Sequence, residues 1–187
     1  TRIHHHLLWL AASATELRLD VAALGHAATN ELADVLARWT GTRMHTMVVR
    51  YGGLHHDPGA VWVTQAVDMA ERAADVASIV AQELATDPRT QGVAVLRTSD
   101  ARAWATSGPV ARVSGAPMDL RASAAGPDPY AQLAAAGVFR PVLLSTGDAA
   151  TRFAVLGAET AVSAACVAAV GRRLAQLDGP VSVALPK

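Results

Sequence analysis

The stretch WVTQAVDMAERAADVASIVAQEL, Trp62 to Leu84, decides the fold class. Trp62, Ala66, Met69, Ala73, Val76, Val80 and Leu84 follow one another at steps of three and four. That is the period of a helix with one apolar stripe. Gln65, Asp68, Arg72, Asp75 and Gln82 fall off the stripe and are expected to face water. Asp87-Pro88 ends the helix, because the residue before a proline is pushed away from helical angles. A stripe of this length must be covered by other elements.

The partners are legible on either side. Between Ile3 and Trp39, the residues Leu7, Leu10, Ala14, Leu17 and Val21 keep helical spacing. Gly25 and His26 are expected to break or kink that run, and Asn30 is expected to cap a further helix through Leu32, Val35, Leu36 and Trp39. Gly147-Asp148 opens a last long helix carrying Phe153, Leu156, Thr160, Ser163, Val167, Val170, Leu174 and Leu177. Its other side holds Val155, Val162 and Cys166, so it is apolar nearly all round and belongs inside a bundle. Met47-Val48-Val49, Val93 to Leu96, Pro141 to Leu144 and Val181 to Leu185 read as short strands, and a brief helix follows Ser99 or Asp100. Val110 to Tyr130 reads as an ordered loop, since Val113, Met118 and Leu120 would be wasted in solvent. The expected fold is mainly α, a helical bundle with a few short peripheral strands and a long ordered loop, formed by residues 1–187 as one domain.

Bulk properties agree with that reading. The chain has 187 residues, of which 51% are apolar and 17% charged, enough to bury a sizeable core. Aromatic content is only 4% and alanine is abundant, which favours closely packed helices. Sixteen basic residues balance sixteen acidic ones, which removes the electrostatic footprint of a nucleic-acid binder. A single cysteine, Cys166, rules out a disulfide framework or multi-cysteine cluster ligation within the segment and is expected to be a small core residue. No uninterrupted apolar run reaches a membrane span, and Leu7 to Ala14 lacks the cationic leader of a signal peptide. The chain starts at Thr1 directly in a helical pattern, as expected for a segment of a longer protein.

The richest chemistry lies in Thr40-Gly41-Thr42-Arg43-Met44-His45 and in Arg50-Tyr51-Gly52-Gly53-Leu54-His55-His56-Asp57. Flexible glycines with basic and imidazole side chains are a common way to present polar groups at a site. If Thr46 to Arg50 is extended, His45 shares a face with Met47 and Val49. Pattern alone favours a hydrogen-bonded structural histidine there over a proton-exchanging one. Glu16 and Asp20 stand four apart, the spacing of paired carboxylates on one helix face, and most such pairs are simply solvated. His4-His5-His6 fans around a helix, and His55-His56-Asp57 lacks a further ligand at defined spacing, so no metal site is expected. Nucleophile-elbow, Walker and dinucleotide-binding glycine patterns are absent.

Taken in order, these motifs resemble the D subunit of NADH-quinone oxidoreductase, the respiratory complex I component related to nickel–iron hydrogenase large subunits. The run Arg2-Ile3, then His6-Leu7-Leu8-Trp9-Leu10, is similar to the opening of a helix in that family. Thr40 to Asp57 resembles its T-G-A-R-M-H followed by R-x-G-G-V. Ser107-Gly108-Pro109, Arg112, Ser114-Gly115 and Asp119-Leu120-Arg121 are similar to its S-G-x-x-x-R-G-S-G-x-x-W-D-L-R. Asp128, Tyr130, Gly147-Asp148, Arg152-Phe153 and the Gly179-Pro180-Val181 to Lys187 ending follow in the family's order.

The resemblance implies a hydrogenase-like helical core and a place in the quinone-reduction module, peripheral on the cytoplasmic side of the cell membrane. Its implied partners are the other peripheral-arm subunits of complex I, above all the iron–sulfur subunit, and quinone. It implies that His45 lies beside the partner-held [4Fe-4S] cluster, with Arg43 and Arg50 close to it, and that Glu16 matches a helix acid paired with a quinone-contacting histidine of the family's N-terminal part. This segment itself would hold no cofactor and no metal; the cysteine pairs that bind nickel in hydrogenases are not here. The chain departs from the pattern at Ala27 to Glu31 and at Val155 to Ala158, where the family is charged, at Val113, where it has Gly, and at Met118, where it has Trp. Lost charge at docking surfaces would point to a non-catalytic assembly or scaffold paralogue; the large subunit of a membrane-bound hydrogenase relative is the other alternative.

Overall fold

Four long helices carry the fold in a computed structural model that describes residues 1–122 and 129–183. They are α1 (Arg2–Glu16), α2 (Ala22–Thr40), α3 (Ala60–Thr86) and, after the peripheral elements, α7 (Ala149–Leu174). Trp62 donates through Nε1 to the Val35 carbonyl at 2.7 Å, while Gly25, ten residues earlier on α2, faces Val80 near the far end of α3, so α2 and α3 run antiparallel. Gly157 meets Ala81 while Gly171 meets Val67, which sets α7 antiparallel to α3. α1 lies across α2, α3 and α7, with Trp9 against the Phe153 ring. The core joins Leu7, Leu10, Leu32, Met69, Val80, Leu84, Val113, Phe153 and Val155 with a bed of alanines.

Small residues set how closely the helices approach. A Cβ on Gly25 would sit 2.8 Å from the Ala11 Cβ, and one on Gly157 2.7 Å from the Ala81 Cβ. Gly25 therefore does not break a helix; it sits inside α2, where its missing side chain lets α1 come close. The break falls instead at 17–21, where Arg18 takes a positive φ of 55° to end α1. Asn30 likewise lies within α2 and caps nothing. Gly41, at φ 76°, closes α2 in the left-handed conformation common at helix ends. Asp148 caps α7 by accepting the Thr151 N–H at 2.9 Å. Burial pushes its carboxyl up, but the hydrogen bonds from Thr151 and from the Gly92 N–H outweigh that and hold it below the ordinary carboxylate range.

The peripheral elements are α4 (Thr98–Ala103), α5 (Gly108–Val113), a short 3-10 turn at Leu120–Ala122 and α6 (Pro129–Ala135). The span 107–121 is ordered against the bundle, and it contains a helix, α5, where the sequence suggested only loop. Val93 to Leu96 and Pro141 to Leu144 are docked coil rather than strands: Ala94 has a φ of 52°, and the backbone bonds run to single points, Leu96 N–H to Gly147 and Leu144 N–H to Arg112. The two strands among the described residues are β1 (Val49–Arg50) and β2 (Gly53–Leu54), paired antiparallel. Ser182 makes one isolated antiparallel bridge to Gly53, so the described part of the expected terminal strand, Val181–Val183, is a single bridge rather than a strand. Ala184 and Leu185 of that strand, and Asp128 of the quoted motif, lie outside the described residues.

α7 is the one described helix long and apolar enough to cross a membrane, by length and mean hydropathy alone. Half of its most apolar window is covered by the bundle, and Glu159 and Thr160 in its middle are buried. Cys166 is buried on the same helix, and burial pushes its thiol up. The mainly helical architecture with a small two-stranded sheet is the one the periodicity predicts.

Candidate functional site

The loop from Thr40 to His56 leaves the bundle at the end of α2 and returns before α3. Its base is clamped. His56 Nε2 lies 2.8 Å from the Trp39 carbonyl, and the Trp39 ring packs on Trp62 at 4.6 Å between centroids. Val48 is buried and anchors the middle; the His55 N–H donates to its carbonyl at 2.8 Å. Around that anchor the side chains point outward: Met44 is 69% exposed, Met47 83% and Tyr51 91%.

His45 sits in this loop with a φ of 47°, in the left-handed region that most non-glycine residues avoid. The turn is held by two tight backbone contacts, Met47 N–H to the His45 carbonyl and Val48 N–H to the Thr46 carbonyl, both 2.7 Å. The expected strand over Met47 to Val49 therefore begins only at Val49. The imidazole is exposed, and among the described residues no side-chain hydrogen bond holds it.

The two arginines are tethered. Arg43 turns back onto α2, pairing with Asp34 and donating to Asn30 Oδ1 at 3.1 Å. Arg50 Nη2 donates to Ser182 Oγ at 3.4 Å. Glu16 is elsewhere. It is the exposed last residue of α1, beside the start of α2, whereas His45 follows the end of α2. The 19 residues of α2 span about 28 Å. Glu16 and His45 thus occupy opposite ends of the bundle. Asp20 does not share a helix face with Glu16, because α1 stops at Glu16 and Asp20 lies in the turn.

A second polar cluster, unforeseen as a unit from the sequence, is sealed under the loop 107–122. Arg112, 3% exposed, donates through Nε to Glu159 Oε1 at 2.5 Å; Glu159, on α7, is 2% exposed. Arg2 approaches the other Glu159 oxygen at 3.4 Å and His6 Nε2 at 3.6 Å. Asp119 bridges Arg112 and Arg121, whose guanidinium also lies over the Phe139 ring at 4.7 Å. Burial, with Arg2, Arg112 and Arg121 around it, lowers the His6 pKa to about 4, so at neutral pH its contact with Glu159 is not an ion pair. The visible signal was Glu159 itself, a lone carboxylate in an otherwise apolar helix, which requires a buried partner. Trp39, His56, Asp34 and Ser182 were also not singled out as supports of the His45 loop. Among the described residues no three His, Cys, Asp or Glu side chains converge to hold a metal ion.

Comparison with known proteins follows the same frame. A family model described as respiratory-chain NADH dehydrogenase, 49 Kd subunit, matches residues 21–187. An NADH-quinone oxidoreductase D subunit of Salinispora arenicola is 32% identical over 192 residues, covering 100% of this chain and 48% of the relative. A D subunit of the same enzyme from Streptomyces coelicolor is 34% identical over 194 residues, with 100% and 49% covered. The D subunit of Rhodospirillum centenum is 32% identical, with 98% and 46% covered. The chain spans about half the length of the curated relatives it matches.

Proposed function

Because the chain belongs to the family of the respiratory-chain NADH dehydrogenase 49 Kd subunit, we propose that it serves as part of an NADH-quinone oxidoreductase subunit, forming one wall of the quinone-reduction module. In this reading residues 1–187 are one domain of a longer chain of the D-subunit type. The protein sits on the cytoplasmic side of the membrane within the peripheral arm, against the iron–sulfur subunit. The observation that supports it is the Thr40–His56 loop, a clamped base carrying an outward His45 among exposed Met44, Met47 and Tyr51. A solvent-facing group of this kind is suited to a partner's surface.

The chemistry assigned to His45 is charge coupling. When the partner's [4Fe-4S] cluster gains an electron, the added negative charge stabilises the imidazolium. Electron uptake then draws a proton, and the cluster potential falls with rising pH by up to about 59 mV per unit. Arg43, tied back to Asp34 and Asn30, and Arg50, tied to Ser182, are the basic groups assigned to the surroundings of that cluster. Glu16 acts in a different place, at the far end of α1, as the acid matched to a histidine outside this segment.

Of Val155 to Ala158, where the resemblance implied lost docking charge, Val155, Leu156 and Gly157 are buried in the bundle and only Ala158 is exposed. The apolar character of the first three serves the core and lends no support to a scaffold paralogue. The test is His45→Met in the assembled complex of the full-length protein. Redox titration of the terminal cluster at several pH values should give a flatter potential-versus-pH slope, with assembly intact. A slope equal to the parent's sinks the assignment.

A further inference from the structure

We propose that Val181–Val183 is a positioning segment that holds the His45 loop in its working conformation; this rests on the reading of His45 above. The β1–β2 hairpin has two residues per strand, too few for independent stability in water. The returning segment Val181–Val183 braces it through one bridge, Ser182 to Gly53. Leu54 donates to the Val181 carbonyl at 2.9 Å, and Val183 donates to the Gly52 carbonyl at 2.8 Å. Arg50 reaches across β2 to Ser182 Oγ.

Two features single this contact out. Gly53 has a φ of 134°, and a Cβ there would collide with the Val181 carbonyl and lie 2.8 Å from the Ser182 Cα. The segment can seat only against glycine. The residues between α7 and Val181 are all exposed, so the returning chain is held, among the described residues, mainly by this hairpin. With the loop base fixed at Trp39 and His56 and the tip fixed at Gly52–Leu54, the strained turn at His45 is left one arrangement. A residue in the left-handed region persists only where its surroundings over-determine it.

The test uses Val183→Pro, which deletes one ladder donor without touching the bundle, in the assembled complex of the full-length protein, beside His45→Met and the double variant. Val183→Pro should remove at least half of the potential-versus-pH slope that His45→Met removes, with assembly and thermal midpoint unchanged, and the double variant should lose no more than His45→Met. If His45→Met flattens the slope and Val183→Pro leaves it as in the parent, the positioning role is overturned and the site reading stands. If neither changes it, both fall. Should Val183→Pro fail to assemble, Ser182→Ala carries the same test through the Arg50 contact alone; a parental slope there overturns the positioning role.

Discussion

The loops at 40–56 and 107–122 look alike as sequence, each a run of glycine, arginine and polar residues between helical patterns. The structure treats them oppositely. In 107–122 the arginine is sealed: Arg112 is paired with Glu159 and Asp119, and Val113 and Ser114 beside it have no solvent contact. In 40–56 the basic groups stay at the surface, and Met44, Met47 and Val49 around His45 are exposed while Val48 is the buried anchor. The first loop holds the fold together; the second is held by the fold and offers its residues outward. Chemistry-bearing residue types alone do not mark a site, because the same types make a buried ion pair when a lone carboxylate waits on the facing helix.

The difference can be broken at its strongest point by Glu159→Ala. Removing one member of a buried pair leaves Arg112 with only its longer contact to Asp119, at 3.5 Å, and should cost about 3 kcal/mol, read by urea or thermal unfolding of the isolated chain. A loss under about 1 kcal/mol would put the 107–122 cluster on a par with a surface pair and dissolve the contrast.

The pH response sharpens it. His6 titrates at about 4 when folded against an ordinary 6.5, so the folded state resists the proton that the unfolded chain accepts. Its contribution is fully present above pH 6.5 and is lost as pH falls from there towards 4. The loss amounts to about 3 kcal/mol at most. His6→Leu should flatten the stability profile between those pH values, measured by denaturant midpoints in a pH series; an unchanged profile contradicts the sealed environment. Asp119 and Asp148, both held low, add a second loss only at more acid pH, as pH falls below the ordinary carboxylate range.

The smallest effect belongs to the open loop. Arg43 and Asp34 are both about half exposed, and such pairs contribute about 0–1 kcal/mol. Arg43→Ala should therefore shift the unfolding midpoint barely at all while altering the loop; a change rivalling that of Glu159→Ala would erase the distinction between the two regions.

The bundle was legible because burial imposes a period on the sequence. The stripe from Trp62 to Leu84 lies within α3, and the Gly147-Asp148 stop-and-cap opens α7 as expected. The turn between α1 and α2 was misplaced because Gly25 reads as a breaker, while its real use is helix contact, and Arg18 supplies the left-handed residue that a glycine would signal. Val93 to Leu96 has strand composition but no neighbour to form a ladder. Of the candidate site, the prominence of Thr40–Asp57 was readable from its glycines and imidazoles. The separation of Glu16 from His45 follows from the helical run between them, since the length of α2 alone sets it. The pairing of Arg112 with Glu159 was not readable, because these residues are far apart in the chain and meet only when α5 docks on α7.

The methionines turn the exposed loop into a built-in reporter of its own coverage. Met44 and Met47 flank His45 in open water, while Met69 is 1% exposed in the centre of the bundle. Thioether oxidation by peroxide follows solvent access. The ratio of sulfoxide at Met44 and Met47 to that at Met69 therefore measures, within one polypeptide and without any label, how completely another surface has closed over the imidazole. The same exposure makes this turn a place where oxidative damage would write a polar, chiral group beside His45.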